Sequence, residues 1–112
     1  MKQKIIALIC FSICLAGLWS GSVWTAQAEP AALTLNVNSS LVDAVDANPG
    51  DGVCETGTGN NVCTLRAAVM EANAWPGADT IFIPAGTYYL SLVATSFENN
   101  ALNGDLDLTD DV

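Results

Sequence analysis

The chain has 112 residues, 51% of them apolar, with twelve acids against three Lys and Arg, no histidine and a net charge of −9. A surface of that sign repels nucleic-acid phosphates and anionic headgroups, which excludes DNA, RNA and membrane-surface partners. Outside the first 28 residues the apolar fraction is still too high for simple disorder, so a folded core is expected.

The first 28 residues read as an address. Lys2 and Lys4 precede an apolar run from Ile5 to Trp19, and Ala26-Gln27-Ala28 supplies a small-x-small cleavage pattern. That is a secretory signal peptide cut after Ala28. A retained anchor needs about 20 apolar residues, and this run is shorter, broken by Ser12 and followed by the cleavage pattern. Cys10 and Cys14 leave with the leader. Loss of Lys2 and Lys4 leaves Arg66 facing all twelve acids, a net −11. The protein is expected to be secreted or held at the cell surface, with no membrane contact after cleavage.

Leu33 to Val37 alternates apolar and polar residues, the pattern of a half-buried strand, and Leu41-Val42 with Val45 suggests a second short one. Asn38-Ser39-Ser40 matches a glycosylation acceptor that counts only in a eukaryotic secretory route. Asp46 to Gly52 (DANPGDG) carries successive turn signals and reads as a loop. Cys54 and Cys63 then bracket the polar run ETGTGNNV. In an exported chain two cysteines this close are most simply a disulfide. A redox pair usually has Cys-x-x-Cys spacing, and zinc needs two more Cys or His ligands, which the mature chain lacks.

Thr64 is a good N-cap, and Leu65 to Ala74 is rich in helix formers with Leu65, Ala68, Val69 and Ala72 on one narrow stripe. Trp75-Pro76-Gly77 stops the helix. Ten residues are too few for a helix stable on its own, so the stripe must be docked. Asp79 to Leu92 reads as strand, turn and strand, with Pro84-Ala85-Gly86 at the corner, and Leu106 and Leu108 open another strand.

Cys63-Thr64-Leu65-Arg66-Ala67-Ala68 resembles the CSLREA motif of the CSLREA domain. The flanks resemble it too: Asp46 to Cys54 before the motif, Glu71 to Ile81 after it, then Ile83 to Tyr88 and Gly104 to Leu108. The resemblance covers about Leu33 to Val112. It implies a mainly β fold with one short helix, the N-terminal cap and first rung or rungs of a right-handed parallel β-helix of the pectate-lyase-like kind. On that reading, residues 29–78 form the capping region and residues 79–112 start the β-helix. The helix covers the open end that a solenoid must close. Ala67 stands where the motif has Glu, so the reciprocal half of a capping box is missing. A solenoid needs about three stacked repeats, so the chain is expected to be the N-terminal piece of a longer one.

The residues expected to matter are structural: Cys54, Cys63, Thr64 and Arg66. Arg66 sits in the first helical turn, where the dipole disfavours a cation. It is expected to bridge to a carboxylate such as Asp43, Asp46 or Asp79, with anion recognition as the competing role. Asp46-x-Asn48-x-x-Asp51-Gly52 resembles a calcium loop, but Pro49-Gly50 shifts Asp51 out of register and Gly57 stands where the bidentate Glu belongs. No catalytic apparatus is expected: the acids are scattered, and Ser39, Ser40, Ser91 and Ser96 have no base. The expected function is a non-catalytic capping module of an exported β-helix protein, without a cofactor, serving an extracellular, matrix or carbohydrate ligand. The alternatives are the leader of a carbohydrate-active β-helix enzyme and a small calcium-dependent binding module.

Overall fold

A computed structural model describes residue 28 and residues 30–112. The expected leader up to residue 27, with Cys10 and Cys14, lies outside the described residues. Regular structure there consists of strand β1 (Thr34–Asn36), helix α1 (Leu65–Ala74) and strand β2 (Thr80–Phe82). β1 and β2 pair in parallel, with Thr34 opposite Thr80 and Asn36 opposite Phe82. Bonds from Thr80 N–H to the Leu33 carbonyl and from Val37 N–H to the Phe82 carbonyl extend the ladder at both ends. A parallel pair requires a crossover, and here it contains the acidic loop, the disulfide loop and α1. Ser39 and Thr64 form a further isolated parallel bridge.

The helix starts and stops where the residues dictate. Thr64 holds an extended backbone and its hydroxyl accepts from Ala67 N–H at 3.1 Å. The same hydroxyl donates to the Ala44 carbonyl at 2.6 Å, which ties the preceding segment to the cap. Pro76 forces Trp75 out of α geometry, to φ −88° and ψ 128°.

α1 is more enclosed than a docked stripe. Residues from Arg66 to Ala72 are all buried. Ala68 and Ala72 close against Leu35, Val37 and Cys63, while Val69 and Met70 pack on Ala101 with Leu106 at the margin. The acidic loop covers the remaining side, where a Cβ on Gly50 would touch Ala74 and one on Gly52 would press Trp75 at 3.3 Å. The small residues at 67, 68 and 72 are what let three layers approach one short helix.

Three expected strands are absent among the described residues. Leu41-Val42 is irregular, and Leu41 is 93% exposed. Thr87 to Leu92 has no ladder because the Asp43 carboxylate takes the amides of Ser91 and Leu92, at 2.6 and 2.8 Å. At residues 105–109 the helix does the same work. Arg66 and Asn73 take the Asp105 and Asp107 carbonyls, and the Thr109 N–H donates to Asn73. Side chains satisfy these backbones where neighbouring strands would otherwise do so. The β content is therefore lower than expected, and no complete turn of a β-helix forms among the described residues.

Candidate functional site

The four residues expected to be structural gather at the start of α1. Cys54 and Cys63 are joined, with Cα atoms 5.1 Å apart, and the loop they close is also held by Thr56 N–H donating to the Val62 carbonyl. Asn38 locks onto this loop, its carbonyl oxygen accepting from Cys63 N–H and its amide donating to the Asn61 carbonyl.

Arg66 is fully buried and forks onto Asp43, Nε to Oδ1 at 2.6 Å and Nη2 to Oδ2 at 3.1 Å. Of the three acids proposed from sequence, Asp43 is the partner. Its remaining N–H groups reach the carbonyls of Ala101 at 2.7 Å, Gly104 at 2.8 Å and Asp105 at 3.3 Å. Ala101 holds φ +55°, a left-handed backbone costly for alanine, and that turn aims its carbonyl at the guanidinium. Burial raises the Asp43 pKa, but the Arg66 fork and the amides of Leu92 and Ser91 outweigh it and hold the carboxyl below its ordinary value. Every Arg66 donor is turned inward onto the chain's own groups, so this node is an anchor and not an anion receptor.

Glu71, which the sequence did not single out, forms a second buried node. Its oxygens accept from Gly50 N–H at 2.6 Å and from Gly52 N–H at 2.5 Å. Both glycines hold positive φ, +95° and +84°, so their amides can converge on one carboxylate. The signal was present as two glycines flanking Asp51, but nothing local linked them to a helix residue some twenty positions on. Asp46 completes the loop, one oxygen accepting from Asn48 N–H at 2.8 Å and the other from Glu55 N–H at 3.1 Å. Burial raises the pKa of both acids; the amides they accept from oppose that, and neighbouring carboxylates add to it.

The calcium-like loop thus spends its buried oxygens on backbone amides in an Asx turn. Among the described residues no group of three or more Asp, Glu, Cys or His side chains is placed to hold a metal.

The remaining feature is an open trough of about 430 Å³ on the other flank of β2. Its walls are Leu65 and Val69 of α1, Ile81 and Ile83 of the β2 run, and Leu106 and Leu108 of the C-terminal segment. Because Thr80 and Phe82 turn their backbone groups toward β1, those of Asp79, Ile81 and Ile83 face the opposite side. On that side Asp79 N–H donates to the Asp111 carbonyl at 2.9 Å, and Ile81 has no backbone partner among the described residues. Asp79 is 4% exposed; its Oδ1 accepts from Leu33 N–H at 2.8 Å while Oδ2 has no donor among the described residues.

No protein-family model, no curated protein and no solved structure matches the chain. Among the described residues no helix is long and apolar enough to cross a membrane.

Proposed function

We propose that the chain is a non-catalytic N-terminal capping module of an exported, surface-associated protein whose body is a right-handed parallel β-helix. The observation that carries this reading is a parallel pair packed against α1, with an apolar trough along the outer edge of β2 where the Ile81 backbone is unpaired among the described residues. β1 and β2 lie 46 residues apart in register, and crossovers between parallel strands are right-handed in nearly every protein. The bond from Asp79 N–H to the Asp111 carbonyl lies on that outer side of β2 and fits the reading. The leader pattern and a disulfide fit export. Arg66, Asp43, Asp46 and Glu71 all support backbone, which fits a structural role.

A thermal melt of the full chain, made in an oxidising export route and titrated with calcium, tests the reading. The expected result is a calcium-indifferent transition and strong binding of a hydrophobic dye to the trough. A cooperative transition whose midpoint climbs with calcium overturns it in favour of the calcium-dependent binding module.

A further inference from the structure

We propose that the element covering the trough is a β-strand that turns aliphatic side chains inward and directs one lysine or arginine at Asp79. The inference rests on the capping reading and names the chemistry of the partner at that same face: the occupant is the next strand of the β-helix.

Three observations converge on it. The trough walls are aliphatic and the Ile81 backbone is unpaired among the described residues, which suits a strand that adds main-chain bonds at an edge. Asp79 borders the trough, and its buried Oδ2 has no donor among the described residues. Asp105, Asp107, Asp110 and Asp111 accompany it on the C-terminal segment, while the Arg66 side chain, the one cation among the described residues, is consumed by Asp43 and by carbonyls. Asp79 is already nearly stripped of water, which strengthens an uncompensated charge there. A wholly apolar strand would leave that buried carboxylate with one oxygen unsatisfied. A cationic side chain supplies the donor and the charge together. A second copy of this chain is disfavoured as occupant, because it would set acid against acid along the edge.

The test tethers a strand of about six residues to Val112 of the full chain through a flexible Gly/Ser linker, which raises its local concentration and leaves its direction free. One position carries Lys, Met or Glu, and each version is made in the native chain and in Asp79→Asn. Hydrogen exchange at the Ile81 amide reports docking, and the melting midpoint reports strength. The expected result is protection of Ile81 and a midpoint roughly 4–8 °C higher for Lys than for Met, with Glu lowest. The Lys advantage should collapse in Asp79→Asn, whose own amide replaces the unsatisfied oxygen. Equal midpoints for Lys and Met, or a Lys advantage that survives Asp79→Asn, overturn the inference while leaving the capping reading in place. Failure of every strand to protect Ile81 overturns both.

Discussion

Residues 33–79 and residues 83–112 are both fastened to α1, but by different means. The first region closes an apolar core of Leu35, Val37, Cys63, Ala68 and Ala72 and is cross-linked by the disulfide. The second hangs largely from polar anchors: Arg66 holds three of its carbonyls, Asn73 holds residues 107 and 109, and Asp43 holds the amides of Ser91 and Leu92. Several of its larger apolar side chains, Tyr89, Val93 and Phe97 among them, face outward. Apolar contacts fail gradually when one is trimmed. Anchors fail sharply, because removing one partner strands the others without water or hydrogen bonds.

The sharpest way to break the second region is Arg66→Met. It leaves Asp43 buried and three carbonyls unpaired, and a loss of about 3–5 kcal/mol is expected in denaturant melts. Hydrogen exchange should show residues 91–105 opening before β1 and β2, and Asp43→Asn added to Arg66→Met should restore part of the loss. If both regions open together, the contrast between them is wrong.

Next in size is the first region's cross-link. Cys54→Ser with Cys63→Ser should cost roughly 2–3 kcal/mol, read in the same melts, with increased exchange confined to residues 46–63. Glu71→Gln should follow at about 1–3 kcal/mol, since one of the two glycine amides then faces an amide donor; proteolysis at Gly50–Gly52 would report the loosened loop.

The pH profile sharpens the comparison further. Asp46 and Glu71 have raised pKa values when folded, so the native state holds their protons more tightly than the unfolded chain does. Their contribution to stability is greatest in acid and declines as pH rises through their folded values. Asp43 behaves oppositely: its lowered pKa contributes stability above the ordinary aspartate value that is lost as pH falls through the folded one. Stability should therefore peak at about pH 4–5, and Asp43→Asn should weaken the acid limb, to which Glu98 also contributes, while Glu71→Gln flattens the neutral one. The smallest effect belongs to Phe97→Ser, expected within about 0.5 kcal/mol in a denaturant melt because the ring buries nothing.

What was legible in the sequence was what short-range chemistry decides. Thr64 and Trp75-Pro76 bound the helix at both ends, two closely spaced cysteines paired, and a lone arginine among acids found a carboxylate. The strands expected at Thr87–Leu92 and Leu106–Leu108 depended on partners that propensity cannot supply. Their backbones were claimed by Asp43, Arg66 and Asn73, residues about 35 to 50 positions away. Glu71 was hidden for the same reason, since a glutamate in a short helix reads as solvent-facing until the loop that covers it is known. The narrow stripe on α1 was too modest a reading, because small residues can bury several helix faces without any periodic signal.

The attachment of the second region also bears on one chemical weak point. Asn103-Gly104 is the dipeptide most prone to deamidation, which proceeds when the glycine nitrogen attacks the asparagine side chain and closes a succinimide ring. Here Gly104 N–H is held by the Leu92 carbonyl at 2.7 Å, and the Asn103 side chain accepts from Thr95 N–H at 3.2 Å. Both reactants are pinned, and Arg66 holds the Gly104 carbonyl beside them. Conversion of Asn103 to aspartate or isoaspartate is therefore expected to follow opening of this segment, and the one negative charge it adds falls among acids already there.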